Sequence, residues 1–229
     1  MKCYNLKTER SDTPIVIALG FFDCIHKGHK SLIDEVAYYA RRLDAETAIT
    51  TFSNDPAILL KKEQQIYTFE ERKRIFENLG IQNLLYADFD EKFMCCTATK
   101  SLDVLTNNFN VKTIVVGKDF TFGKGAEGNV EFLKAYMSEK NIPVIVLPFT
   151  KFESKKLSSS VLKNLVKSGD VQTLNNTLTE PYFTIGTVVH GKSRGRIIGF
   201  PTANLEMSKD RLAPASGIYS SKIIIDGRT

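Results

Sequence analysis

Ile15-Val16-Ile17-Ala18-Leu19-Gly20-Phe21-Phe22-Asp23-Cys24-Ile25-His26-Lys27-Gly28-His29 is the stretch on which the fold turns. The five apolar residues Ile15–Leu19 suit a strand covered on both faces, as strands of a parallel sheet are. A short loop follows and then an amphipathic pattern over Lys30–Leu43, so the stretch reads strand, turn, helix. A helix amino terminus presents N–H groups without partners and the positive end of the dipole, and it attracts phosphate. Two of the chain's three histidines, His26 and His29, sit at that turn. Their imidazoles suit phosphate oxygens, and Gly28 lets the backbone come close.

Outward from this stretch the alternation continues. Glu46–Thr51, Asn83–Ala87, Thr113–Val116 and Pro143–Leu147 read as further strands. Phe69–Leu79, Ala98–Phe109, Val130–Lys140 and Ser160–Lys167 read as helices. Thr68 with Glu71 has the spacing of a capping box, and Gly80 and Gly169 stand where their helices should stop. Strand and helix in alternation predict an α/β fold, a doubly wound parallel sheet with ligands beyond the carboxyl ends of its strands, over residues 1–180. From Tyr182 the pattern changes to short strand-like runs, Tyr182–Val189 and Tyr219–Ile225, among Gly-, Arg- and Pro-rich segments. Residues 181–229 therefore read as an incomplete β-barrel domain, with Asp226-Gly227-Arg228-Thr229 as a turn whose returning strand is not in view. Exposed strand edges predict that this tail packs on the first domain or self-associates.

Composition narrows the partners. Among 229 residues the net charge is +5, and it is scattered (Arg41-Arg42, Lys61-Lys62, Lys155-Lys156) rather than gathered in a block. That suits small polyanions such as nucleotides better than nucleic acid. Met1–Arg10 is polar, and the longest apolar runs are strand-sized, well short of the ~20 residues that cross a bilayer. Cys3, Cys24, Cys95 and Cys96 have no zinc spacing and read as free thiols, which places the chain in the cytoplasm.

His26-Lys27-Gly28-His29 resembles the HxGH motif of the nucleotidyltransferase superfamily, whose members attack the α-phosphate of a nucleoside triphosphate. The resemblance implies a Rossmann-like domain with His26 and His29 as catalytic residues and Gly20, Phe21, Phe22, Asp23 and Gly28 against ATP. Val116-Gly117-Lys118-Asp119-Phe120-Thr121-Phe122-Gly123-Lys124-Gly125 resembles the stretch after the fourth strand of prokaryotic FAD synthetases. It implies ATP contacts at Gly117 and Asp119, the latter equally readable as a turn cap, and flavin contacts at Phe120, Phe122 and Gly123. Leu157-Ser158-Ser159-Ser160 resembles their second phosphate-contacting segment, and implies Ser159 and Ser160 on ATP. Val161 stands where that family usually has Arg, which leaves Lys163 as the nearest cation. Ser53-Asn54-Asp55-Pro56 replaces the commoner Pro-His-Pro, with Asn54 the implied flavin contact, and Cys24 stands where Gly is usual.

Pro201-Thr202-Ala203-Asn204, with Gly195-Arg196 before it and Gly217-Ile218-Tyr219 after it, resembles the riboflavin kinase module fused behind. There Thr202 and Asn204 are implied to hold Mg²⁺ with ATP; read without the resemblance they form a turn after Pro201. Order and spacing resemble the bifunctional riboflavin kinase/FAD synthetase family across nearly the whole chain. The implied function is FMN adenylyltransferase: ATP, with Mg²⁺, gives its adenylyl group to FMN, yielding FAD and pyrophosphate. Phosphorylation of riboflavin is expected to be absent, because the family's kinase base is a glutamate beyond Thr229. Two other readings are another small-molecule nucleotidyltransferase and a non-catalytic flavin carrier. Gly123-Lys124-Gly125-Ala126-Glu127-Gly128 formally matches GxGxxG, but it neither follows a strand directly nor has an acidic residue at the end of the next one, which argues against a dinucleotide oxidoreductase.

Overall fold

The computed structural model of the chain describes residues 1–56, 58, 63–148, 151–152, 155–156, 158–191, 199–200 and 202–225. Leu157, Gly195, Arg196, Pro201 and the terminal turn at 226–229 lie outside them. Six strands, β1 (Lys2–Asn5), β2 (Ser11–Ala18), β3 (Glu46–Phe52), β4 (Asn83–Ala87), β5 (Phe109–Gly117) and β6 (Val144–Leu147), form one parallel sheet in the order β1-β4-β3-β2-β5-β6. The chain winds from β2 toward β3 and later continues on the other side through β5. A crevice therefore opens where the carboxyl ends of β2 and β5 diverge, the usual ligand position in such sheets.

The apolar strand runs are explained by two cores. Along β2, Val16 and Ala18 face one core while Ile15 and Ile17 face the other, and β5 splits Val115 from Ile114 and Val116 in the same way. Period-two alternation with both faces covered favours apolar side chains on both faces, and the buried polar positions within the strands, Thr47, Thr51, Asn83 and Thr113, are three β-branched threonines and one asparagine. The first core is closed by α1 (Lys27–Arg42) through Leu32, Ile33, Val36 and Ala40, and by α2 (Phe69–Asn78) through Ile75 and Phe76. The short α3 (Glu91–Met94) precedes α4 (Ala98–Asn108), which with α5 (Val130–Glu139) closes the second core through Leu102, Leu105, Leu133 and Met137. A two-stranded ribbon, β7 (Lys151–Phe152) with β8 (Lys155–Lys156), leads to α6 (Ser159–Ser168) and α7 (Val171–Thr177). The capping box at Thr68 and Glu71 is present with both of its hydrogen bonds, and Gly169 ends α6 in the left-handed conformation.

Beyond α7 the chain departs from expectation. Of the run Tyr182–Val189 only β9 (Thr187–Val189) is a strand, antiparallel to β10 (Asn204–Glu206). The earlier residues spend their backbone groups on the first domain instead: Tyr182 N–H donates to Asn175 Oδ1 at 2.7 Å and Ile185 N–H to Glu71 Oε1 at 2.8 Å. Tyr219–Ile225 is not a strand either, with a single bridge position at Ile225. Packing of this tail on the first domain is observed, since Gln65 and Leu212 pair by backbone hydrogen bonding and Arg211 is buried against Glu71. No helix among the described residues is long and apolar enough to cross a membrane.

Candidate active site at the sheet switch point

His26 is the N-cap of α1, which is why that helix begins three residues before its hydrophobic pattern does. Its Nδ1 accepts hydrogen bonds from the N–H groups of Gly28 at 3.1 Å and His29 at 3.3 Å. Backbone N–H can only donate, so Nδ1 is bare and the hydrogen sits on Nε2. His29 Nδ1 lies 2.7 Å from the carbonyl oxygen of Cys24, which can only accept, so here the hydrogen is on Nδ1 and Nε2 keeps its lone pair. The rings stack 3.9 Å apart, 13° from parallel, and Phe22 meets His29 edge-on at 4.9 Å. Burial and the neighbouring His29 push His26 down to about 3. Burial takes His29 down to about 4, while the bond to Cys24 and the charge of Asp119 pull the other way. Both are therefore neutral near pH 7. The pair presents one N–H and one lone pair.

This corrects one expectation. The helix amino terminus does not offer its Gly28 and His29 N–H groups to a phosphate, because the His26 ring has taken them. What the turn presents instead is the imidazole edges.

The crevice between β2 and β5 is lined by Gly20, Phe22, His26, Gly28 and His29 on one side and by Gly117, Asp119 and Phe120 on the other. Ser31, Lys118 and Pro148 also line it, and the sequence reading did not single them out. Gly20 is necessary for space, since a Cβ there would stand 2.7 Å from the Phe22 ring. Phe22 holds a positive φ of 54°, a costly conformation for a bulky residue that pins its ring beneath His29.

Other expected site residues are brought to the neighbourhood but not into the crevice. The Phe21 ring lies under the Arg72 guanidinium at 4.9 Å, and its carbonyl oxygen accepts from Arg72 at 3.3 Å. Asp23 is buried, accepts from Ile66 N–H at 3.4 Å and faces Lys163 at 4.0 Å. Burial, with Asp55 beside it, pushes Asp23 up to about 6, against the pull of Lys163, Arg72 and the Ile66 N–H. Lys163 was expected as a phosphate cation. It is instead buried at 7% exposure among Asp23, Asp55 at 3.7 Å and Glu63 at 3.5 Å, so its charge is engaged by three carboxylates. Desolvation drives this, because two buried carboxylates require a buried cation.

Cys24 points into the core rather than toward the crevice, with its Sγ 3.7 Å from Ser159 Oγ, and does not crowd the loop. Ser159 thus opens α6 against Cys24, with Ser160 exposed beside it. The Asn54 side chain is consumed by the backbone of Phe89, donating to its carbonyl at 2.9 Å and accepting its N–H at 2.7 Å. Phe120 and Phe122 stack at 5.3 Å, and Gly123 is placed by necessity: φ is +78° and a Cβ would meet Ala98 N at 2.6 Å. Gly125 and Ala126 form a 3-10 turn inside the Phe122–Gly128 hairpin, with no helix start for a dinucleotide. Thr202 and Asn204 are exposed and far along the chain beside β9, where the Asn204 carboxamide lies over Gly191.

Arg72 is a residue the sequence reading missed. Fully buried in the first turn of α2, it donates to the carbonyl of Phe52 at 2.8 Å and to Thr51 Oγ1, and so ties the loop after β2 to the carboxyl end of β3. Its signal was a charged residue adjacent to a capping-box glutamate, ordinarily a solvated position.

An open parallel sheet with two neutral imidazoles at its switch point defines a nucleotide-binding α/β protein of the nucleotidyltransferase kind. The chain belongs to the FAD synthetase family, whose model matches residues 8–161, and residues 178–229 match the riboflavin kinase model. It is 32% identical to the bifunctional riboflavin kinase/FMN adenylyltransferase of Listeria monocytogenes, over 96% of this chain and 71% of that one. Its identity to the protein of the same description from Bacillus subtilis is 33%, over 93% of this chain and 68% of that one. A crystal structure of a protein described as a macrolide-efflux protein, from Streptococcus pneumoniae, superposes with a TM-score of 0.83 at 33% identity, covering 95% of this chain and 72% of that one.

Proposed function

We propose that this chain is an FMN adenylyltransferase: a phosphate oxygen of FMN attacks the α-phosphorus of ATP, the bond to the bridging β-phosphate oxygen breaks, and pyrophosphate leaves with that electron pair. The observation that carries the reading is the stacked His26–His29 pair at the switch point of a chain in the FAD synthetase family. Phosphoryl-type transfer asks a protein for positioning and charge stabilisation and needs no covalent intermediate.

The His26 Nε2–H meets a phosphate oxygen directly. His29 offers a second N–H only after taking up a proton, which the arriving polyphosphate favours by raising its pKa. We place ATP against Gly20, Phe22, Gly28, Gly117 and Asp119, with Ser159 and Ser160 at the α6 terminus toward its phosphates. Phe21, Asp23 and Lys163 hold the loop from behind. FMN stacks toward Phe120 and Phe122, with Gly123 shaping that turn and Asn54 fixing the loop opposite.

Among the described residues no group of three or more His, Cys, Asp or Glu is placed to hold a metal. Mg²⁺ would enter with ATP, and Thr202 and Asn204, both exposed, would hold it at a second site through neutral oxygens. It would neutralise charge on the departing pyrophosphate. Residues 1–180 form the adenylyltransferase unit and 181–229 belong to the riboflavin kinase module. Four free thiols suit a cytoplasmic enzyme. Self-association through exposed Ile218 and Ile223–Ile225 is tested by sedimentation across a concentration range. The deciding assay is release of pyrophosphate and appearance of FAD from ATP and FMN. Tight flavin binding without either product would leave a carrier.

A further inference from the structure

Arg211 belongs to the segment that matches the riboflavin kinase model, yet it is 3% exposed and buried against α2 of the first domain. Its Nε donates to both oxygens of Glu71, at 2.9 and 3.1 Å. Its other nitrogens donate to Tyr182 Oη at 2.6 Å, to the carbonyl of Leu212 at 3.0 Å and to the carbonyl of Phe183. Glu71 is itself fully buried and accepts from the N–H groups of Thr68 and Ile185, both at 2.8 Å. The next residue, Arg72, carries the connection onward to the Phe21 carbonyl in the loop that leads to His26.

A second route runs along the backbone. Gln65 N–H donates to Asp210 O at 2.9 Å and its carbonyl accepts from Leu212 N–H at 2.7 Å, so the two segments pair around Arg211. The N–H of the neighbouring Ile66 goes to Asp23 Oδ1, again in that loop. Further along, Thr179 N–H and Oγ1 both reach the Ile25 carbonyl, at 3.3 and 3.1 Å, beside the bridge between His26 and Leu178. The loop Gly20–His29 is thus held from behind by Arg72, Ile66 and Thr179, and the first two stand next to Glu71 and Gln65, the residues that grip Arg211 and its neighbours.

We infer that Arg211, through Glu71–Arg72 and through Gln65–Ile66, is a positioning residue for adenylyl transfer: it sets the His26–His29 loop from the other module. This deepens the adenylyltransferase reading and rests on it. A 1 Å misplacement of a reacting group costs on the order of a hundredfold in rate, and a tie to the loop backbone controls displacements of that size.

The test uses the full chain as Arg211→Met and as the double variant Glu71→Gln with Arg211→Met. The double variant strands no buried charge and retains a capping-box acceptor, which keeps it folded. Two readouts are taken well below each variant's melting temperature. In the first, kcat for FAD formation per folded protein falls about 10- to 100-fold in both variants while KM for ATP changes less than threefold. A merely structural contact lowers the melting temperature and leaves kcat alone.

The second is the imidazole NMR spectrum of the unliganded protein, simple because the chain has three histidines, and the exposed His190 serves as the internal reference. Signals of His26 and His29 shift in both variants, and His190 stays. Unmoved His26 and His29 signals in a folded double variant overturn the inference, whatever the assay gives. Shifted signals with no FAD made by the wild type retain the loop coupling but sink the adenylyltransferase reading and the positioning role with it.

Discussion

At the residue scale the two histidines divide the work. His26 caps α1 with Nδ1 and presents Nε2–H, so replacing it with alanine confounds a lost cap with a lost donor. His26→Asn keeps an N-cap oxygen, asparagine being among the best caps, but its amide falls short of the crevice. We expect His26→Asn and His29→Ala to slow pyrophosphate release about 10²–10³-fold, the usual loss for one charge-stabilising donor, with unchanged circular dichroism. Turnover at the wild-type rate in either variant would remove these residues from the chemistry. Lys163 invites a different expectation. If it served phosphate, Lys163→Met would raise KM for ATP in a stable protein. Engaged as it is by Asp23, Asp55 and Glu63, the substitution strands buried carboxylates and should cost ~3–5 kcal/mol in a urea titration. The sequence made His26, His29 and Gly20 legible because each sits at a turn whose position follows from its own strand and helix. It hid the roles of Arg72 and Lys163, since a lysine or arginine on a helix is ordinarily solvated and only the fold reveals which carboxylates it meets.

At the scale of elements, strands β2 to β6 were readable because each carries a run of apolar or β-branched residues, as Ile15–Ala18 in β2 and Ile114–Val116 in β5 do, buried between the two cores. The edge strand β1, Lys2-Cys3-Tyr4-Asn5, escaped notice for the opposite reason: three of its four residues are polar or aromatic-polar, and it pairs on one side with β4 alone. Pro14 lies within β2, where the register with β5 shifts between Ser11 and Val16, a place where a missing N–H donor is tolerated. The run Tyr182–Val189 had the composition of a strand, but composition cannot say that Ile185 N–H would go to Glu71 rather than to a neighbouring strand. The turn after Phe122 carries the clearest prediction here. Gly123→Ala forces a Cβ to 2.6 Å from the Ala98 backbone at a φ of +78°. With ψ at 177° this backbone lies in a region essentially confined to glycine, which alone costs ~1–3 kcal/mol, and the contact adds to it. We expect a lower urea midpoint and weaker FMN binding by fluorescence quenching, with ATP affinity retained. Equal loss of both ligands would mean that the turn does not belong to the flavin side.

At the scale of the whole molecule, buried titratable groups set how stability answers to pH. His26 and His29 have pKa values of about 3 and about 4 when folded, below the ordinary 6.5, and Asp23 has one of about 6, above the ordinary 3.8. Between pH 4 and 6 the unfolded chain therefore binds protons at both imidazoles that the native state refuses, while the native state keeps one on Asp23 that the unfolded chain releases. The histidine contribution is present above pH 6.5 and is lost on acidification; the Asp23 contribution is present below its unfolded value and is lost as pH rises through 6. They oppose, and the histidines win by one proton. From these three groups stability should rise with pH across the window by ~1.4 kcal/mol per unit. Other carboxylates add their own slopes, so the decisive quantity is a difference. Asp23→Asn removes the opposing proton and should steepen the dependence by one proton, again ~1.4 kcal/mol per unit, because the remaining carboxylates are common to both proteins. Urea midpoints for wild type and variant, taken at intervals across that window, measure it directly. Parallel curves would mean that Asp23 is ionised in the native state throughout, and that Lys163 and Arg72 outweigh its burial.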